Sequence, residues 1–122
     1  MAVYNNDLYI GGWFRHSSGN IGENVVKWDG NQFTDVGFGD ANGEVKRLIV
    51  HNGKLWAIGN YSIASYMPTY WGVSVYDGSK WCLPQDTINA GCFGAALYKD
   101  TIYIGGGFRT AQGDTNAKYI IK

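Results

Sequence analysis

The chain has 122 residues and a formal net charge of zero, because ten Lys and Arg residues balance ten Asp and Glu residues. This balance argues against a nucleic-acid partner, since affinity for phosphate backbones comes mainly from an excess of basic residues. Aromatic residues make up 16% of the chain and 18 glycines accompany two prolines, a composition typical of β-strands joined by tight turns and unlike that of a disordered chain.

The first part of the chain predicts two β-hairpins in succession. Val3–Tyr4 and Leu8–Phe14 form the first hairpin, and Val25–Trp28 and Gln32–Val36 form the second around an Asp-Gly turn. Apolar runs separated by Asn-Gly or Asp-Gly are a strong short-range hairpin signal. Four short strands are therefore expected before the next copy of the pattern begins.

The same order of segments then returns. The second copy predicts four strands with Asn-Gly and Asp-Gly turns: Val45–His51, Lys54–Tyr61, Gly72–Tyr76 and Lys80–Leu83. The third copy predicts three strands: Ala95–Tyr98, Thr101–Phe108 and Asn116–Ile121. Tyr9, Trp56 and Tyr103 occupy one repeat position at a spacing of 47 residues, and a period between about 20 and 50 residues indicates a supersecondary unit stacked on its copies. The sequence thus predicts an all-β fold of four-stranded antiparallel sheets, with repeats at 1–44, 45–91 and, in part, 92–122.

The motifs of these copies resemble the kelch repeat. The resemblance rests on Gly11-Gly12-Trp13-Phe14 in the first copy and Gly105-Gly106-Gly107-Phe108 in the third, each followed by an apolar strand. In the first and second copies that apolar strand leads into an Asp-Gly turn and a further aromatic residue. The second copy departs from the motif at Ile58 and at Tyr61. The resemblance implies β-propeller blades, but kelch-type repeats serve many functions and so imply little about activity. The recurring aromatic residues are expected to pack between blades: Phe14, Trp28, Phe33, Trp56 and Trp81.

The number of repeats is too small for a closed ring. About 2.6 repeats fit into the chain, whereas closed propellers have roughly four to eight blades. An open stack exposes apolar faces at both ends. Two explanations remain open: association with further copies of the chain, with a dimer as the first choice, or continuation within a longer propeller chain.

The loops between the second and third strands of each repeat differ most among the copies, which is typical of binding loops on a constant scaffold. Arginine and aromatic side chains in and beside them form the predicted ligand-binding set: Arg15, His16, Tyr61, Tyr66, Tyr70, Trp71 and Arg109. Such side chains anchor glycans or protein partners well. We therefore expect a recognition or adhesion module for a glycan or a protein surface. The alternative is a structural subunit whose blades or edge strand join chains into a virion part or cell-surface appendage.

An enzyme is not expected. His16 precedes Ser17-Ser18, but the Asp and Ser residues fall mainly in turns, so no orienting acid is evident for nucleophilic catalysis. Two Cys and two His lack metal-ligand spacing, so neither a metal site nor a cofactor is predicted.

The sequence is compatible with more than one cellular compartment and favours an extracellular or surface location. No apolar run reaches the length of a membrane span, and Met1–Asn5 lacks the pattern of a signal peptide. Cys82 and Cys92 either form a disulfide or remain buried free thiols.

Overall fold

A computed structural model describes residues 1–15, 19, 21–39, 41–63, 70–82, 90–108 and 120–121, without the side chains of residues 70, 71, 120 and 121. The protein is all-β, and its strands pair antiparallel in three separate sheets. No helix occurs among these residues.

Sheets 1 and 2 each contain four strands that pair in chain order. Sheet 1 consists of β1 (Ala2–Tyr4), β2 (Asp7–Gly11), β3 (Val25–Trp28) and β4 (Phe33–Asp35). Sheet 2 consists of β5 (Ala41–His51), β6 (Lys54–Ile63), β7 (Tyr70–Tyr76) and β8 (Trp81–Cys82). All eight strands lie where the sequence predicts them, although β5 begins at Ala41 rather than at Val45.

Sheet 3 has the order β11-β10-β9 and repeats the start of the same pattern. Its strands are β9 (Cys92–Tyr98), β10 (Thr101–Gly106) and β11 (Ile120–Ile121). The predicted third strand over Asn116–Ile121 is confirmed only at its last two residues, since 116–119 lie outside the described residues.

The turns repeat the same local chemistry. Asn52 and Gly53 have φ angles of 50° and 69°, and Lys99 and Asp100 have φ angles of 46° and 61°. Two consecutive left-handed residues match the twist of the flanking strands in a hairpin. The Asp29 carboxylate accepts the backbone N–H groups of Asn31 and Gln32 at 2.8 and 2.9 Å, and Asp77 does the same in the second repeat.

Sheet 2 is covered on both faces, because strand residues alternate between the two sides of a sheet. Leu55 and Ala57 point towards sheet 1 and join a core cluster with Tyr9. Ile58 points the other way and joins a second cluster with Ile102 and residues of β9. Sheets 1 and 3 each pack one face against sheet 2.

The predicted packing of the recurring aromatic residues is only partly confirmed. Trp81 packs against the first cluster and Trp56 against the second. Phe33 is 44% exposed, so its expected place in the core is wrong. It occupies the repeat position of Trp81, but it lies on the face of sheet 1 that points away from sheet 2.

Cys82 and Cys92 are both free thiols. Cys92 is buried in the second core cluster, as expected of a free structural cysteine, whereas Cys82 is exposed.

Candidate functional site

The candidate site is the loop edge, which we define as the edge of the sheets where β2, β6 and β10 end. Antiparallel pairing brings the starts of β5 and β9 to the same edge. The loops between the second and third strands of each repeat leave from this edge. The seven residues predicted to bind ligand belong to these loops or border them.

The structure describes the side chains of two of these seven residues. Arg15 is partly exposed at the loop edge. Tyr70 and Trp71 begin β7, and only their backbone is described. His16, Tyr66 and Arg109 lie outside the described residues.

Tyr61 is in the core and not at a binding surface. Only 1% of its area is exposed, and its hydroxyl donates to the Ala57 carbonyl oxygen and contacts the Ser74 hydroxyl, both at 2.9 Å. Burial raises the pKa of Tyr61 well above its ordinary value. The physical reason is its repeat position, since the equivalent Phe108 is also buried against sheet 2. We therefore leave Tyr61 out of the candidate site.

Trp13 is an exposed aromatic residue at the loop edge that the sequence prediction missed. It follows the end of β2, and 73% of its area is exposed. The equivalent positions hold Asn60 and Gly107. A tryptophan at a position where the other copies have small or polar residues was the signal available in the sequence.

A cavity of about 550 Å³ lies between the β4–β5 connection and strand β8, and its lining runs from Ile63 at the loop edge to the β7–β8 turn at the opposite end of sheet 2. Its lining in the described chain combines aromatic, small polar and basic residues: Val36, Gly37, Phe38, Gly39, Ile63, Ser74, Ser79, Lys80, Trp81 and Cys82. Concave sites of this size with a few polar groups commonly hold small ligands.

Aromatic contacts fix the wall of this cavity. The Phe38 ring meets the Trp81 ring edge-to-face with their centroids 4.7 Å apart, and it meets Tyr61 at 5.2 Å. The indole Nε1 of Trp81 donates to the Val36 carbonyl oxygen at 3.0 Å. Two strands and one connection thus hold a preformed aromatic wall.

The ionisable groups of the described chain with shifted pKa values have structural explanations. Burial raises the pKa of Tyr9 to about 12, with smaller contributions from Tyr76 and Asp7. Hydrogen bonds from the backbone N–H groups of Gln32 and Asn31 lower the pKa of Asp29. Over the described ranges, no group of three or more His, Cys, Asp or Glu side chains is placed to hold a metal ion.

A search of the described residues also finds no helix of the length and apolar character needed to cross a bilayer. No protein-family model, no curated protein and no solved structure matches this chain.

Proposed function

We propose that the three sheets are kelch-type β-propeller blades and that the protein is a non-catalytic recognition module. It binds a glycan or a protein surface through the loop edge. The observation that carries this proposal is the exposed indole of Trp13 at the end of β2, beside Arg15.

The blade assignment is supported by repeat-equivalent residues that face the same way in successive sheets. Tyr9 of sheet 1 points towards sheet 2, and the equivalent Trp56 of sheet 2 packs against the cluster shared with sheet 3. Ala57 and Ile104 are also equivalent, and each points back towards the preceding sheet. Stacked four-stranded sheets with one repeated facing pattern are the building plan of propellers.

Binding at the loop edge is supported by the chemistry of its exposed groups. A tryptophan face is rigid and apolar with one polar edge, so it stacks on sugar rings and anchors protein partners with little loss of side-chain entropy. Arg15 adds a basic group two residues further along the chain. The cavity between the β4–β5 connection and β8 offers a second aromatic surface, formed by Phe38 and Trp81.

The experiment is retention of the purified full chain on arrays of immobilised glycans and of immobilised proteins. Trp13→Ala is expected to weaken retention about tenfold or more, because anchoring tryptophans dominate such contacts. Leu97→Ala is the matched control, since Leu97 is also an exposed apolar residue but lies near the opposite edge of sheet 3.

The outcomes separate the two ligand classes. Retention only on the glycan array assigns a carbohydrate ligand, and retention only on the protein array assigns a protein ligand. Absence of retention on both arrays, or equal retention of the Trp13→Ala and wild-type chains, contradicts the proposal.

A further inference from the structure

Among the residues that the structure describes, the two outer sheets each leave one apolar face without a neighbouring sheet. We call the face of sheet 1 that points away from sheet 2 the leading face, and the face of sheet 3 that points away from sheet 2 the trailing face. Sheet 2 shows how each kind of face is covered, because the residues of its two faces are the repeat equivalents of those on the leading and trailing faces. One face of sheet 2 packs against sheet 1 and the other against sheet 3.

The leading face is broad and apolar. Cross-strand pairing places Val3 opposite Leu8, Leu8 opposite Trp28, and Ile10 opposite Val26, so these side chains share one face. Val3 is 67% exposed, and Phe33 beside Trp28 is 44% exposed.

A hollow of about 380 Å³ forms part of the same face. Apolar side chains line most of it, including Ile10, Phe14, Val26 and Phe33. A contiguous apolar hollow of this kind usually marks a surface that receives a partner.

The trailing face carries an aromatic pair. The rings of Tyr98 and Tyr103 lie 6.3 Å apart, and these residues are 58% and 37% exposed. Tyr4 and Tyr9 are their repeat equivalents in sheet 1, with rings 5.7 Å apart, yet each is only 4% exposed. The same pair is thus buried in one sheet and open in the other.

The partner that buries the first pair is Tyr76 of sheet 2. Its ring lies 6.3 Å from the Tyr4 ring and 6.0 Å from the Tyr9 ring. The repeat equivalent of Tyr76 in sheet 1 is Trp28, which lies on the leading face. The leading face therefore already contains the aromatic residue that the trailing face lacks.

Polar contacts at the two internal junctions also follow the repeat. The Tyr4 hydroxyl donates to the Gly53 carbonyl oxygen at 3.0 Å, across the junction of sheets 1 and 2. At the junction of sheets 2 and 3, the equivalent His51 lies 3.5 Å from the carboxylate of Asp100, the equivalent of Gly53. Each sheet thus contacts the first hairpin turn of the following sheet from the same position.

We propose that a second copy of this chain docks its leading face on the trailing face, and so continues the stack of sheets. Trp28 of the second copy then covers Tyr98 and Tyr103, as Tyr76 covers Tyr4 and Tyr9. The Tyr98 hydroxyl reaches the turn at Asn6 of the second copy, which is the equivalent of Gly53.

Charge complementarity supports this choice of partner. At the internal junction the Gly78 turn lies against Tyr4 and Asn5, since a β-carbon on Gly78 would be 3.4 Å from the Tyr4 hydroxyl and 3.5 Å from the Asn5 amide nitrogen. The equivalent positions between two copies are Lys99 on one chain and the turn at Asp29 on the other. The internal junction pairs neutral Asn5 with the turn that holds Asp77, whereas the contact between two copies pairs the cation Lys99 with the turn that holds Asp29.

This contact is head-to-tail, because each chain has one leading face and one trailing face. Two chains that use both contacts close into a symmetric ring, the commonest form of closed assembly. The inference does not depend on which ligand the loop edge binds.

The experiment is sedimentation of the full chain over a range of concentrations, with one variant for each face. Phe33→Glu places a charge on the leading face and Tyr98→Glu places one on the trailing face. Both residues are exposed, so the fold is expected to persist, and circular dichroism checks this. Each variant alone is expected to associate about 30-fold more weakly or worse, because a carboxylate is buried without a partner.

Mixing the two variants gives the decisive result. Each retains the face that the other has lost, so the mixture is expected to form a one-to-one dimer although neither variant associates alone. Trp13→Ala is the control and is expected to associate like the wild type.

Two outcomes overturn the proposal. The first is a wild-type mass of 13.4 kDa, that of one chain, at every concentration, which leaves a neighbouring repeat of a longer polypeptide as the occupant of both faces. The second is undiminished association of either variant alone, which indicates contact between two like faces. The wild-type measurement decides the first outcome even if a variant fails to fold.

Discussion

The two internal junctions solve one packing problem with different side chains. Between sheets 1 and 2, Asn24 is fully buried and its amide nitrogen donates to the carbonyl oxygens of Ala41 and Gly43 at 3.2 and 3.0 Å. Between sheets 2 and 3, the equivalent residue is Gly72, and it packs against Cys92. Asn24 has a φ of 60° and Gly72 a φ of 72°, so both junctions require a left-handed backbone at this position.

The repeat position therefore determines the backbone conformation and the direction in which the residue faces. The side chain determines which contacts link the two sheets at the junction. Asparagine and glycine are the two residues that tolerate a left-handed φ most readily. Asparagine adds two hydrogen bonds, while glycine lets Cys92 approach closely. Substitutions at equivalent positions separate these contributions.

The largest difference in stability between equivalent substitutions is expected at the second glycine of the repeated motif, which is Gly12 in sheet 1 and Gly59 in sheet 2. A β-carbon on Gly59 would overlap the Glu44 carbonyl oxygen and lie 2.8 Å from the Lys46 backbone nitrogen, and backbone atoms have little room to move. Gly59→Ala should therefore lower the free energy of unfolding by about 3 kcal/mol. The matched control is Gly12→Ala, because the nearest atoms at Gly12 belong to the Phe14 ring at 3.3 Å, and its cost should stay below about 1 kcal/mol.

Urea unfolding of both variants measures this difference. The structural reason for it is where the first strand of each sheet starts. β5 starts at Ala41 and so runs alongside Gly59, whereas β1 starts at Ala2, which pairs with Tyr9, and does not reach Gly12. Equal losses in the two variants would show that β5 does not pack as closely on Gly59 as described.

A smaller loss of stability is expected at Asn24, whose hydrogen bonds link sheets 1 and 2. Asn24→Ala removes a buried hydrogen bond to Ala41 and a partly buried one to Gly43, and it puts an unfavourable residue at a left-handed φ, so it should cost about 2 to 3 kcal/mol. Asn24→Gly removes the same hydrogen bonds but accepts that φ, and it should cost about 1 kcal/mol less. Chemical denaturation compares the two variants, and an identical loss in both would argue against backbone strain at this position.

Sequence patterns predicted the scaffold well because turn chemistry and repeat spacing are local properties. Asn52-Gly53 marked its hairpin, and the Asp-Gly turns at Asp29 and Asp77 lie where the pattern placed them. The strand starts at Ala41 and Cys92 were missed because pairing extends each strand past a register shift, which leaves little trace in residue type.

The candidate site was harder to predict because exposure depends on neighbours that a repeat pattern does not show. Tyr61 has the residue type of a binding loop, but it lies at a position that sheet packing buries. Phe33 has the residue type of a core position, but no described sheet packs on its face of sheet 1, and it is exposed. Trp13 precedes the loop, and only a comparison of the three copies marks it as an aromatic residue at a position that otherwise holds Asn60 or Gly107.

The two junctions are also expected to differ in how their stability responds to alkali. The substitution that tests this has the smallest expected effect on stability at neutral pH. Burial raises the pKa of the Cys92 thiol from 9.0 to about 12 and contributes most to raising that of Tyr9 from 10.0 to about 12. Both groups keep their protons longer in the folded state than in the unfolded state, so stability is full below the unfolded pKa and falls as pH rises towards the folded pKa. The repeat equivalent of Cys92 is Val45, so the position accepts valine in the first junction, but Cys92→Val adds one heavy atom beside Gly72 and should cost about 1 kcal/mol at neutral pH. Urea unfolding between about pH 8 and about pH 11 should show a shallower loss of stability in Cys92→Val than in the wild type, with the remaining loss arising at the tyrosines whose pKa burial raises, Tyr9, Tyr61 and Tyr76. A pH dependence that Cys92→Val leaves unchanged would mean that the thiol is not protected at the junction of sheets 2 and 3, and would assign the alkaline loss to the tyrosines between sheets 1 and 2.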